Sequence, residues 1–381
     1  MHISRTLSVS VFTTMLGFGI ISPLLPVYAT DIGATGLWLG IIFAGFSVSR
    51  TFSMSIIGRL SDKQSKKRII VFGLLLYTII SVLYIFASDV YFLTLVRMFH
   101  GLASVMVVPI AMAIVGEISV EGEEGIQMST ISTSRVLGRG FGPLIGGAIY
   151  AAFGMSSVFL VMSGLSVVAF VMVLLFIPDT KDLGVQKNTL SYRQVLKSVR
   201  IRGLFLYRFT RAINLGVFFV FLPLFATVIG LSVFEIGVLI SSILVLTALL
   251  QRPFGYLADR FDRLNLIIFG FIFSAIPLFI LPYTSNFVEL IFLCSFIGVG
   301  RALSMPPSLA LTIEIGRKIG MGFAMGLLST AMGIGMITAS LTSGFLLDFY
   351  GINLPFYFAG IISIITAPII YLLLKDPNPG I

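Results

Sequence analysis

Arg50, Arg97, Arg139, Arg211 and Arg301 are among the arginines that stand inside long apolar runs of this chain. A guanidinium at mid-membrane depth costs about 2.5–3.5 kcal/mol on insertion scales, so each must face a partner or a polar cavity. Its planar fork of donors suits carboxylate and phosphate groups. Arg208, Arg211 and Asn214 recur three apart and so share one helix face. All 16 acidic residues, by contrast, fall in loops or at the ends of apolar runs. Arginines without intramembrane acids favour a ligand that brings its own negative charge. His100 is the one side chain within an apolar run that ordinarily titrates near neutrality, which makes it the candidate for proton coupling. The competing role is that of a buried hydrogen-bonding residue. No metalloprotease motif, Ser-His-acid grouping or phosphate-binding loop is present, so neither an enzyme nor a metal or other cofactor is expected.

The elements that hold these residues are membrane spans. The chain has 381 residues, 57% of them hydrophobic and 11% charged, with mean hydropathy +1.07, which excludes an ordinary soluble domain. Apolar runs occur at Leu7–Ala29, Leu37–Ile57, Ile69–Ala87, Tyr91–Gly116, Met128–Phe153 and Ser157–Ile177. They continue at Leu204–Ile229, Ile236–Leu257, Leu264–Tyr283, Phe287–Ile313, Gly322–Leu347 and Leu354–Leu374. Each suffices to cross about 30 Å of hydrocarbon as a helix. The expectation is an all-α polytopic protein of twelve transmembrane helices in two six-helix bundles, 1–178 and 202–381, joined by a basic linker at 179–201. Within that linker, Lys187 to Arg202 has the pattern of an amphipathic helix lying on a leaflet.

The two bundles are copies. Gly58-Arg59-Leu60-Ser61-Asp62-Lys63-Gln64-Ser65-Lys66-Lys67-Arg68 returns 197 residues later as Gly255 to Arg263 with Asp259 in the place of Asp62. The same register relates Pro26 to Pro223, Gly33 to Gly230, Gly73 to Gly270, Gly101 to Gly298, Glu117 to Glu314 and Gly154 to Gly351. Parallel repeats of one membrane unit are a transporter's architecture.

Gly58 to Arg68 resembles the loop signature of the major facilitator superfamily, G-x-x-x-D-[RK]-x-G-[RK]-[RK]-[RK], with Ser65 where that family has glycine. Gly255, Asp259 and Arg260 retain part of it in the second copy. Arg97-Met98-Phe99-His100-Gly101 is similar to a second signature, with His100 in the place of glutamine. Gly138, Gly142, Pro143, Gly146 and Gly147 match G-x-x-x-G-P-x-x-G-G, the pattern enriched in the superfamily's exporters and in drug–proton antiporters. Small residues four apart also allow close helix packing.

The resemblance implies secondary transport of a small organic solute by alternating access, with export as the direction. It implies too that the first, fourth, seventh and tenth spans line the cavity, so that Arg97, Arg211 and Arg301 converge there. Arginines without acids make the expected substrate an organic anion or acidic amphiphile. The alternative is a proton-coupled multidrug antiporter for neutral or cationic drugs, and, in another class, a transporter-like membrane sensor. The repeated acids Asp62, Asp259, Glu117 and Glu314 are expected to meet Lys63, Arg68, Arg260 and Arg263 in a cytoplasmic gate.

Charge sets the expected orientation. Loops near Asp31, Asp89, Gly154, Glu235, Glu289 and Asp348 carry no Lys or Arg, whereas Lys63 to Arg68, Lys181 to Arg202, and Arg260 to Arg263 are basic. The positive-inside rule then puts both termini in the cytoplasm of a plasma-membrane protein. The net charge of +9 reflects this bias and the buried arginines, so no nucleic-acid partner is expected. The partners are the bilayer, the solute and protons, and the chain is expected to act as a monomer. Arg5 ahead of an apolar run imitates a signal peptide, but that run repeats at Leu204–Ile229 and reads as a retained span.

Overall fold

The computed structural model describes residues 2–61, 63–118, 124–179, 198–319 and 321–375. Its helices are α1 (His2–Ile21), α2 (Leu24–Asp31), α3 (Gly36–Ser61), α4 (Lys66–Leu83), α5 (Val90–Ile118), α6 (Glu124–Phe153) and α7 (Met155–Phe176). The second copy supplies α8 (Val199–Val228), α9 (Val233–Arg260), α10 (Arg263–Ile280), α11 (Phe287–Ile319), α12 (Met321–Tyr350) and α13 (Leu354–Lys375). Twelve of the described helices are long and apolar enough to cross a membrane. In hydrocarbon a backbone must satisfy its own hydrogen bonds, and helices do so within one segment.

The repeat survives at the level of single dihedral angles. Four described glycines have positive φ, and they form two pairs 197 residues apart: Gly33 (90°) with Gly230 (84°), and Gly154 (77°) with Gly351 (91°). These turns need the left-handed region that glycine enters without steric cost. Short 3₁₀ turns at Tyr84–Phe86 and Leu281–Tyr283 keep the same offset, as do the starts and ends of α6 and α12.

One run departs from expectation. Leu7–Ala29 reads as a single span, yet the helix breaks between Ile21 and Leu24. Pro23 stands at the break and lacks the N–H that would continue the ladder. Its repeat equivalent is Val220, and α8 accordingly runs on through that point.

The chain forms two compact units, Met1–Val185 with Ser232–Ser241, and Gln186–Leu231 with Ser242–Ile381. In the first, α1 packs on α6 and α7, α3 on α5, and α4 on α5 and α7. In the second, α8 packs on α12 and α13, and α10 on α11 and α13. The glycine face of α6 is the seam with α1: a Cβ added at Gly142 would meet Gly19 Cα at 2.5 Å, and one at Gly138 the Phe12 carbonyl oxygen at 2.5 Å. A Cβ added at Gly146 would strike the Ile20 carbonyl.

Gly147 faces elsewhere. A Cβ there would meet Phe234 Cα at 3.0 Å, and one at Gly237 would strike the Pro143 carbonyl. Leu144, just after the proline, donates its backbone N–H to Ser241 Oγ at 3.0 Å. These contacts are why the first turns of α9 cluster with the first unit.

Candidate functional site

In the second unit, Arg211 and Asn214 on α8 and Arg301 on α11 line one cleft, with Leu215, Phe218, Phe271, Ser274, Ile297 and Ser304. Among the described residues, its lining holds two arginines and no carboxylate. Arg211 donates from Nη2 to the thioether sulfur of Met305 at 3.3 Å. Gln251 on α9 donates from Nε2 to the same sulfur at 2.8 Å. Arg211 Nε is buried with no hydrogen-bond partner among the described residues. Asn214 is committed elsewhere, exchanging hydrogen bonds with Ser363 of α13 at 2.9 and 3.1 Å.

The first unit gathers a different set. Arg97 is buried, its guanidinium 4.9 Å from the Phe43 ring centre and 4.5 Å from that of Phe46. Cation–π contact compensates part of the loss of water. His100 is wholly buried among four rings, with centroids at 4.7 Å (Tyr77), 5.4 Å (Phe46), 5.7 Å (Phe18) and 5.8 Å (Tyr84). Its Nδ1 shares a 2.9 Å hydrogen bond with the Tyr84 hydroxyl. His100 Nε2, Tyr77 Oη and Arg97 Nε have no hydrogen-bond partner among the described residues.

Arg139 lies over the Phe18 ring at 5.3 Å. Arg50, exposed, is within electrostatic reach of Arg135, Arg139 and Tyr77. The Tyr77 hydroxyl thus feels the charges of Arg50, Arg97 and Arg139 together. Arg135, one helical turn before Arg139, belongs to this cluster although only its neighbour stood among the sequence candidates.

At the signature ends, Lys66 pairs with Glu117 at 2.8 Å, and its repeat equivalent Arg263 pairs with Glu314 at 3.7 Å. Glu314 also meets Arg200 at 3.8 Å, and Arg68 meets Asp179 at 3.5 Å. Lys63 and Arg260 are exposed. Asp62 lies outside the described residues, and so does the side chain of Asp259. Ser65 sits at the N-cap of α4 with φ −57° and ψ 118°, and Asp262 repeats this at −59° and 118°. Neither angle needs a glycine, so serine replaces it without strain.

The model of the Major Facilitator Superfamily matches this chain over residues 7–245 and 203–381. The chain belongs to the major facilitator superfamily. Over 375 residues it is 32% identical to the MFS-type transporter MJ1560 of Methanocaldococcus jannaschii, covering 96% of this chain and 97% of that protein. It is 25% identical over 376 residues to multidrug resistance protein 2 of Bacillus subtilis, covering 93% and 91%. In fold it is similar to the nucleoside transporter NupG, with TM-score 0.81 at 15% identity over 99% of this chain and 100% of that one. This major facilitator protein is therefore a multi-pass membrane transporter of small molecules, not an enzyme.

Arg211, Asn214 and Arg301 thus share a cleft in one unit, while Arg50, Arg97 and Arg139 lie in the other. Gln251 and Met305 are not among the sequence candidates. A polar residue beside Arg252 near a span end reads as interfacial, and a methionine in an apolar run carries no signal.

Proposed function

We propose that this transporter exports organic anions or amphiphiles with an acidic head by alternating access, with both termini in the cytoplasm. The observation that carries this reading is Arg211. A guanidinium has five N–H donors, yet Arg211 donates to a thioether and, among the described residues, its buried Nε has no partner. An undersatisfied, partly buried cation favours whatever acceptor enters, and an anionic one most. Arg301 in the same cleft adds a second positive charge.

The second reading is proton-coupled efflux of neutral or cationic drugs. It is favoured by the multidrug-resistance relatives and by the glycine–proline face of α6. Against it stands a cleft whose lining, among the described residues, has no carboxylate to attract a cation or carry the proton.

A thermal-shift screen of purified protein against matched naphthoate, naphthamide and naphthyltrimethylammonium separates the two. The expected result is stabilisation by naphthoate, lost by about tenfold in apparent affinity in Arg301→Gln, which corresponds to roughly 1.4 kcal/mol. Stabilisation by the quaternary ammonium, unaffected by that substitution, would favour the drug-efflux reading.

A further inference from the structure

Two strong donors from different helices converge on one weak acceptor in the second unit. Arg211 of α8 reaches the Met305 sulfur at 3.3 Å and Gln251 of α9 reaches it at 2.8 Å. A thioether is a poor hydrogen-bond acceptor, so neither donor is well satisfied there. We infer that Met305 holds the place of the substrate's carboxylate: its sulfur occupies the point that Arg211 and Gln251 flank, and an incoming carboxylate displaces it. This rests on the anion reading above and adds the residues that select a carboxylate.

Three features of the site suit such an exchange. Methionine has three rotatable bonds and moves at low cost. Pro306 and Pro307 follow it inside α11, and each removes a helical hydrogen bond, which leaves the backbone there freer to bend. The buried Arg211 Nε is unoccupied among the described residues, so the planar fork can turn to grip both oxygens of a carboxylate. A primary amide offers one neutral oxygen to the same donors and binds less well. A quaternary ammonium offers no acceptor and meets two positive charges.

The signs of two substitutions at one position test the exchange. Met305→Leu keeps the volume and removes the competing acceptor, so naphthoate should bind about threefold tighter. Met305→Gln installs a carbonyl oxygen that competes for both donors, and naphthoate should bind about tenfold weaker. Gln251→Leu removes one donor and should weaken naphthoate by about tenfold while leaving naphthamide little changed. Isothermal titration of the full-length purified protein reads all three, with wild-type unfolding temperature as the check on each variant. Naphthoate binding that is equal in wild type and both Met305 variants overturns the displacement and leaves the anion reading standing. No preference for naphthoate over naphthyltrimethylammonium in the wild type overturns the anion reading, and this inference falls with it.

Discussion

Glu117→Gln should destabilise the protein by about 3–5 kcal/mol, because it strands a buried ammonium. Lys66 is 5% exposed and its partner Glu117 is 21% exposed, with the charged atoms 2.8 Å apart. The repeat-equivalent substitution Glu314→Gln should cost less than about 1 kcal/mol. There the partners are 39% and 49% exposed and 3.7 Å apart, so water already solvates both charges. Denaturant unfolding of the two variants, side by side with wild type, measures the contrast. Equal losses would mean that burial does not govern these pairs.

Gly142→Leu should be as damaging by a different route. The first side-chain carbon alone would lie 2.5 Å from Gly19 Cα and 2.6 Å from its carbonyl carbon. Backbone cannot rotate away as a side chain can, so α1 and α6 must separate along the seam. Overpacking of this kind costs roughly 1–3 kcal/mol in well-packed interiors, and a helix–helix seam places it at the upper end or beyond. Gly164→Leu on α7 is the control, since a Cβ there meets nothing within 4 Å. Thermal unfolding should drop for the first variant and stay near wild type for the second. A wild-type transition in Gly142→Leu would show that α1 and α6 pack less closely than the backbone indicates.

The architecture was legible because the repeat has no gap. A constant offset of 197 residues relates turns, prolines and acids along the chain. The same offset reappears in the positive-φ glycines. The G-x-x-x-G face of α6 was also legible, since glycines four apart on an apolar helix leave few purposes other than close approach.

Partners across helices were not legible. Nothing in the local pattern around His100 indicates that Phe18, Phe46, Tyr77 and Tyr84 come from three other segments to enclose it. The charges near the signature loop suggested pairs for Lys63 and Arg68, but Glu117 takes Lys66, the first residue of α4, which the helix turns inward. Arginine positions identified the cations, and their surroundings decide their chemistry. Arg97 rests on phenylalanines, while Arg211 stands in a cleft beside a sulfur.

The most direct measurement of the central claim is counterflow in proteoliposomes. Vesicles carrying the purified transporter, preloaded with naphthoate, should take up labelled naphthoate transiently against its gradient. Arg211→Gln should slow that exchange by about tenfold or more, as expected for the loss of a charge-assisted contact. Counterflow of naphthyltrimethylammonium at the same rate in wild type and Arg211→Gln, with none of naphthoate, would contradict the account.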